Sequence, residues 1–190
     1  MTTAIAILAA GASTRLGQPK QLVQWRGISL LQHAVDTACA VSPRALLMLG
    51  ADADALWRTL QAPPELKRVD VPDHRDGLSA SLRAAVTCAE CDAAVDRLLV
   101  MLVDQYTVDA EWLRALLALA DTHPQRIVAS RYDGFRGVPA VFPRSAFAAL
   151  AALRGDQGAR ALLRDEDNPI DCIAPHAPGD VDTPEQIPLS

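Results

Sequence analysis

The stretch LAAGASTRLGQPKQLV combines small residues with two cations directly after an apolar run. Gly11 permits a sharp turn and a close approach of the backbone to a ligand, and successive backbone N–H groups in such a turn can point at phosphate oxygens. Arg15 offers a planar fork for two oxygens, whereas Lys20 offers a compact point charge. The hydroxyl of Ser13 adds a donor. This mixture favours a phosphate-binding loop, although an ordinary turn after a strand would use the same glycine.

The loop matches neither of two well-known phosphate-binding signatures. A P-loop ends in G-K-[ST], which is missing here, and a dinucleotide-binding turn reads G-x-G-x-x-G, whereas this chain reads GASTRLG. The loop by itself therefore does not separate a binding site from a turn.

Asp104 is a candidate metal ligand because it directly follows RLLVMLV, the most apolar predicted strand. Mg²⁺ favours carboxylate oxygens together with phosphates and waters, and a carboxylate at a strand tip can reach a cation beside bound phosphates. The alternative roles of Asp104 are to form a turn, or to cap the helix that begins near Asp109.

The segment GLSASLRAAV places Ser79 and Ser81 at the start of a predicted helix. Ser79 suits an N-cap, whose oxygen accepts a bond from a free N–H of the first turn. The functional interpretation is recognition of a base or ribose, with Gly77 allowing a close approach. Gly155 and Asp156 suit a helix start, in which Asp156 would be the cap.

Apolar runs and helical spacing alternate along the chain. Predicted strands cover 4–9, 45–49, 68–71, 97–103, 126–130, 140–142 and 170–174. Predicted helices cover 29–41, 52–60, 79–90, 109–120, 146–153 and 158–163, with a further helical turn at 183–187. This alternation predicts a mainly parallel sheet covered by helices on both faces, with 97–103 near its centre. Ligands bind such sheets at the carboxyl ends of the strands, which selects residues 10–20, 104–109 and 179–184.

Composition narrows the classes of partner. The 190 residues suit one domain over 1–190, and the net charge of −5 without a basic cluster argues against nucleic acid. No apolar run reaches the ~20 residues of a membrane span, and AIAILAAGA is interpreted as a buried strand because no cation precedes it. Four cysteines favour a reducing cytoplasm over a disulfide framework, and the pair Cys88 and Cys91 lacks the second pair that a zinc site needs.

Six segments in order resemble the MobA-like nucleotidyltransferases that include the molybdenum cofactor cytidylyltransferases and guanylyltransferases. The opening loop looks like LAAG-x-x-x-R-x-G-x-x-K, and GLSASLRAAV looks like the cytidylyltransferase segment G-[LM]-S-x-S-L-R-A-G. LVDQYTVD is similar to that branch's G-D-Q-P strand end, and RGVPAVFPRSAF to its G-H-P-V-x-F-P segment. GDQGARALL is similar to its G-D-x-G-A-R-x-L-L, and GDVDTPEQI to its closing D-[IV]-D-T-P-E-D.

The resemblance implies a Rossmann-like nucleotide-diphospho-sugar transferase fold, with one reversed strand in the C-terminal half. It implies cytidylyl transfer from CTP to a molybdopterin-type acceptor, with release of pyrophosphate and with Mg²⁺ or Mn²⁺ as cofactor. The expected metal ligands are Asp104 and Asp182, with Asp180 as a competitor. The expected catalytic residues are Arg15, Lys20 and Asp104, and the expected nucleotide-binding residues are Leu8, Ala9, Ala10, Gly11, Ala12, Ser13, Arg15, Lys20, Gly77, Ser79 and Ser81.

In the resembling families LAAG accompanies cytidylyl transfer and LAGG guanylyl transfer, so Ala10 is the predicted determinant of the base. Arg136 and Arg160 would contact the phosphate of the second substrate. Two positions depart from the pattern: Tyr106 replaces the proline after D-Q, and Val138 replaces the histidine of G-H-P. Both departures bear on the acceptor. A guanylyltransferase, a sugar- or polyol-phosphate nucleotidyltransferase, and a non-catalytic protein that delivers the cofactor to a molybdoenzyme therefore stay open as alternatives.

Overall fold

The structure, a computed structural model, describes residues 1–11, 17–50, 52–164, 170–173, 179 and 181. The strands of the described part are β1 Thr3–Leu8, β2 Gln24–Trp25, β3 Ile28–Ser29, β4 Ala45–Leu49, β5 Lys67–Asp70, β6 Arg97–Leu102, β7 Ile127–Tyr132, β8 Phe135–Pro143 and β9 Ile170–Ile173. Its α-helices are α1 Leu30–Cys39, α2 Ala53–Arg58, α3 Leu78–Glu90, α4 Ala110–Thr122, α5 Phe147–Ala152 and α6 Arg160–Arg164.

Seven strands form one sheet in the order β5-β4-β1-β6-β8-β7-β9. All neighbours pair in parallel except β8, which runs antiparallel to both β6 and β7. The mainly parallel sheet, the central position of β6 and the single reversed strand are thereby confirmed. Because only β8 is reversed, the other six strands end at the same edge of the sheet.

Helices cover both faces of the sheet, and β1 shows how the sequence specifies this. Every residue of β1 is buried, as expected for a parallel strand with a covered face on each side. Ile5 and Ile7 pack with the apolar faces of α1 and α4, whereas Ala6 and Leu8 pack with those of α3 and α5. Successive side chains of β1 thus point to opposite faces of the sheet and pack into two separate hydrophobic cores.

Helix starts follow local capping chemistry. The side chain of Ser29 accepts a bond from the Gln32 amide at 3.1 Å and begins α1, and Asp109 accepts from the Trp112 amide at 2.8 Å and begins α4. The predicted N-cap at Ser79 is wrong, because α3 already begins at Leu78 and its N-cap is Gly77.

Two further differences from the sequence prediction have local reasons. β8 begins at Phe135 rather than residue 140, because FRGVP lacks an apolar run and joins the sheet through its hairpin with β7. β2 and β3 are two-residue strands, too short to leave a periodic signal. The predicted turn at 183–187 lies outside the described residues, as does the last residue of the strand predicted at 170–174.

No helix in the described ranges is long and apolar enough to cross a bilayer. All four cysteines are free thiols; Cys88 lies in α3 and Cys91 directly after it.

Candidate active site

The strand connections reverse direction beside β1. From β1 the chain moves outward to β4 and β5, then returns to place β6 on the other side of β1. In open α/β sheets such a switch point creates a crevice at the carboxyl ends of the strands, where ligands bind. Lys20 follows β1, Asp104 follows β6, and the Lys20 ammonium forms an ion pair with Asp104 Oδ2. Two residues separated by 84 positions thus meet at the mouth of the crevice.

Asp104 keeps one oxygen available. Its side chain is 5% exposed, and Oδ1 is buried with no hydrogen-bond partner among the described residues. The alternative function as a helix cap does not apply, because Asp109 caps α4. A buried carboxylate oxygen without a partner is costly unless a cation or a donor reaches it. Asp104 therefore has the chemistry of a metal ligand.

The start of the opening loop supplies two unused backbone donors. The Leu8 carbonyl accepts from Val103 at 3.2 Å and the Ala9 amide donates to Met48 at 3.0 Å, so these groups are engaged in the sheet. The amides of Ala10 and Gly11 make no hydrogen bond within the described part of the chain. The last two residues of LAAG therefore offer free N–H groups to a phosphate.

Gln21 is a residue that the sequence analysis missed. It is buried, and its Nε2 donates to the carbonyls of Ala9 at 2.7 Å and of Gly11 at 3.2 Å. These bonds fix the backbone on both sides of Ala10 in the direction that leaves its amide free. The sequence held no signal for this role: only the structure shows that Gln21 follows Lys20 in a 3-10 turn at Lys20–Leu22, which brings it to the loop.

The other side of Ala10 faces the ends of β4 and β5. Ala10 is largely buried, and its carbonyl oxygen would lie 2.6 Å from a Cβ added to Gly50. His74 lies beside the same glycine, with its Cγ 3.1 Å from that position. Only glycine at position 50 thus leaves space next to Ala10. Further out, a hydrogen bond from the Arg68 guanidinium holds the pKa of Asp54 below its ordinary value.

The two motifs around Gly77 and Gly155 pack on each other. A Cβ on Gly77 would lie 2.5 Å from the Gly155 carbonyl oxygen and from Asp156 Oδ1, and the Ser79 amide donates to that Gly155 carbonyl at 3.2 Å. The close approach that Gly77 permits is therefore to protein backbone. The Arg83 guanidinium donates a hydrogen bond to the Ser79 hydroxyl at 3.1 Å.

Ser79 and Ser81 are 0% and 3% exposed, so neither hydroxyl is displayed on the surface. Contact of this segment with a nucleotide stays a prediction, and it would fall to the backbone near Gly77.

An apolar cavity of about 490 Å³ opens along the β8 side of β6. It begins at the ends of β1 and β6, where Leu8 and Leu102 line it, and extends past Val138 to Phe135 and Arg160. The Leu8 side chain therefore faces this cavity rather than the region beside Gly50. A second substrate approaching the pair from this side would meet a mostly apolar wall.

Gln105, which lines this cavity, connects the end of β6 to the middle of β8. Its Oε1 accepts from the Leu102 amide at 3.1 Å, and its Nε2 donates to the Val138 carbonyl at 2.7 Å. The Tyr132 hydroxyl donates to the same carbonyl at 2.6 Å. The backbone of Val138 is thus held by two donors, and its apolar side chain lines the cavity.

The closing segment reaches the same edge of the sheet through Gly179 and Val181. The Gly179 amide donates to Thr107 Oγ1 at 2.9 Å, and a Cβ on Gly179 would lie 2.5 Å from Cζ of Tyr106. Tyr106 also packs against Trp25, with ring centroids 4.8 Å apart. The predicted site residues that lie outside the described part are Ala12, Ser13, Arg15, Asp180 and Asp182.

A family model, described as the MobA-like NTP transferase domain, matches residues 5–170. The chain belongs to the MobA-like NTP transferase family. The resemblance seen in the sequence is thereby confirmed, as is the Rossmann-like nucleotide-diphospho-sugar transferase fold. The chain is a member of a nucleotidyltransferase family.

Three proteins illustrate the relationships of this MobA-like chain. The purine catabolism protein PucB of Bacillus subtilis is 29% identical over 96% of this chain and 92% of that protein. The molybdenum cofactor cytidylyltransferase of Escherichia coli is 28% identical over 45% of each. The crystal structure of Rv0371c from Mycobacterium tuberculosis has a TM-score of 0.83 at 30% identity, covering 98% of this chain and 95% of that one. A second structure of Rv0371c, in complex with manganese, has a TM-score of 0.80 at 29% identity, covering 98% and 96%.

The two departures from the family pattern have different surroundings in this MobA-like structure. Val138 lines the apolar cavity. Tyr106 packs against Trp25 and Gly179 and supports the closing segment. The first departure therefore changes the lining of a cavity, whereas the second changes a packing contact.

Proposed function

We propose that this MobA-like transferase moves a cytidylyl group from CTP to the phosphate of a molybdopterin-type acceptor. The observation that carries the proposal is the Lys20–Asp104 pair at the switch point, between the free amides of Ala10 and Gly11 and an apolar cavity. The partial match to a molybdenum cofactor cytidylyltransferase supports the choice of substrates.

The reaction is an in-line displacement. An oxygen of the acceptor phosphate forms a bond to the α-phosphorus of CTP, the bond from that phosphorus to the bridging oxygen breaks, and pyrophosphate leaves with the electron pair. The protein contributes alignment and neutralisation of charge and needs no covalent intermediate. The amides of Ala10 and Gly11 bind phosphate oxygens, and Arg15 and Lys20 stabilise the charge that develops on the departing pyrophosphate.

A divalent metal fits the residues present. Asp104 Oδ1 is buried without a partner, and carboxylate oxygens are preferred ligands of Mg²⁺ and Mn²⁺. When bound, the metal would supply positive charge to the phosphate oxygens. Asp104 would hold it together with Asp182. The manganese complex of Rv0371c supports a divalent metal for the family member that it describes.

The donor subsite lies on the β4 side of β1 and the acceptor subsite on the β8 side. Ala10 and Gly50 shape the first and are proposed to select cytosine over a larger purine. The apolar cavity beside Leu102 and Val138 suits the flat ring system of a pterin. The four free cysteines are compatible with function in the cytoplasm, where a molybdoenzyme would receive the product.

The test is a pyrophosphate-release assay with each of the four NTPs, with and without molybdopterin that carries molybdenum. CTP with the pterin acceptor is expected to give the highest kcat/KM. A preference for GTP, or turnover only with a sugar or polyol phosphate, would overturn the substrate assignment. Delivery of cofactor to a molybdoenzyme without any measurable transfer would instead identify a binding protein.

A further inference from the structure

Four arginines form a cluster at the outer end of the apolar cavity. Arg131 and Arg136 lie on the β7–β8 hairpin, and Arg160 and Arg164 lie on α6; all four line one open depression with Phe135. The depression lined by this arginine cluster shares Tyr132, Phe135 and Arg160 with the cavity, so the two form one continuous surface. The cluster lies at the same edge of the sheet as Asp104, because β7 ends there and β8 begins there.

The arrangement of these charges is unfavourable for the fold by itself. Arg131 and Arg136 are directly opposite each other in the β7–β8 ladder, and like charges in that position repel. Among the described residues, none of the four guanidiniums forms an ion pair with a carboxylate. Other arginines do: Arg44 pairs with Asp92 and Arg97 with Asp121. Four clustered cations without a carboxylate partner in the described part of a chain of net charge −5 suit an anionic ligand.

The rings beside the cluster add a flat surface. Phe135 is 40% exposed and stacks on Tyr132, with ring centroids 5.0 Å apart and planes inclined by 29°. The Arg160 guanidinium lies 4.2 Å from the centre of the Phe135 ring, a cation–π contact that fixes its position. An exposed aromatic ring next to preorganised arginines is suited to a ligand that has both a planar part and an oxyanion.

We propose that the arginine cluster binds an anionic group of the acceptor other than the phosphate that attacks CTP. The inference rests on the proposed function, since the cavity runs from the cluster to the ends of β1 and β6, where Leu8 and Leu102 line it. The acceptor then has a planar part and an oxyanion besides its attacking phosphate, which the oxo ligands of the metal would supply in molybdopterin that carries molybdenum. A phosphate and a carboxylate share the oxyanion chemistry that a guanidinium fork recognises.

The probe for this site is phenyl phosphate, which carries one ring and one oxyanion and needs no transfer reaction to be observed. Its binding is measured by titration of the ¹⁵N-labelled protein, following the arginine Nε–H signals in NMR, with saturating CTP present. We expect shifts in the arginines of the cluster. Arg136→Gln and Arg160→Gln should each weaken binding about 10-fold.

Matched controls separate this site from general charge effects. Arg114→Gln removes an exposed arginine on α4 that donates to the Ala40 carbonyl, and it should leave phenyl phosphate affinity unchanged. Arg136→Lys keeps the charge but loses the planar fork, and it should fall between the wild type and Arg136→Gln. An unchanged melting temperature for each variant shows that the fold persists.

A second measurement connects the site to the reaction. In the transfer assay, Arg136→Gln should raise the KM for the acceptor about 10-fold and leave the KM for CTP unchanged. Loss of phenyl phosphate binding upon CTP addition, or equal binding by wild type and both glutamine variants, would overturn the inference. Probe binding that follows the predicted variants in a protein without transferase activity would refute the proposed function while supporting the anion site.

Discussion

Lys20 neutralises one oxygen of Asp104, and the other oxygen of that buried carboxylate has no partner among the described residues. A fixed cation at the place where phosphate charge develops stabilises a transition state more than a ground state. The chain has two lysines, Lys20 and Lys67, and the second is exposed on β5. Mutation of Lys67 therefore serves as the control for mutation of Lys20.

Lys20→Ala should lower kcat for transfer by about 100- to 1000-fold, which is the range for loss of one preorganised charge donor. Lys67→Ala should stay within twofold of the wild type. Steady-state kinetics of pyrophosphate release measures both. Comparable losses in the two variants would show that Lys20 contributes only general positive charge.

Asp104→Asn should weaken Mn²⁺ binding at least about 10-fold in the protein without nucleotide, because the amide lacks the negative charge that a hard cation prefers. Electron paramagnetic resonance of free Mn²⁺ gives the affinity. The control is Asp109→Asn, because asparagine caps a helix as well as aspartate does and the fold is kept. Equal Mn²⁺ affinity in wild type and Asp104→Asn would remove Asp104 as a ligand.

At the scale of elements, the site depends on contacts between segments that are distant in the sequence. The start of α3 packs on the loop before α6 through Gly77 and Gly155. Gly77 has φ +86° and ψ −171°, a conformation that is essentially restricted to glycine. The same kind of contact connects Gly179 to Tyr106 on the loop after β6. Glycines thus allow the binding loops to approach each other.

Gly77→Ala should lower the free energy of unfolding by about 3 kcal/mol or more, since it adds a clash with the Gly155 backbone to the strain of its positive φ. Gly27 provides the control: its φ is +83°, but an added Cβ would meet no atom within 4 Å. Gly27→Ala should cost about 1 kcal/mol. Urea denaturation compares the two, and equal losses would mean that the contact with Gly155 contributes little.

At the scale of the whole molecule, the sheet divides the two proposed subsites. The β1–β6 switch point separates the ends of β4 and β5, beside Ala10, from the cavity along β8. Each ligand can therefore bind the folded chain through a different set of strands. A ligand that binds only the folded state raises the free energy of unfolding by RT ln(1 + [L]/Kd), where [L] is the free ligand concentration.

CTP at 100 times its Kd should raise the free energy of unfolding by about 2.7 kcal/mol in the presence of Mg²⁺. At the same concentration, GTP with a tenfold weaker affinity would give about 1.4 kcal/mol less. Thermal unfolding measures this difference without an acceptor. A larger stabilisation by GTP would contradict the proposed selection of the base by Ala10.

Most of the strands and helices were predictable because they carry a local signal. The buried run at β6, the helical spacing of α3 and the cap at Asp109 all act within a few residues of the chain. The family was recognisable as well, since Gly11 and Lys20 stand at positions that resemble its signature loop, and the family model matches residues 5–170. β8 was predicted too short because its first half has no apolar run and is held by its partner strands.

The amino-acid sequence by itself determined the alternation of elements and the chemical groups available at the strand ends. The tertiary structure decided which of those groups meet: it pairs Lys20 with Asp104, buries Ser79 away from the surface, and gathers the arginines of the hairpin and α6 into one cluster. It also identified Gln21, whose bonds to Ala9 and Gly11 have no sequence signature. The physical reason is that strand order and loop packing depend on contacts across the whole sheet, which local patterns do not encode.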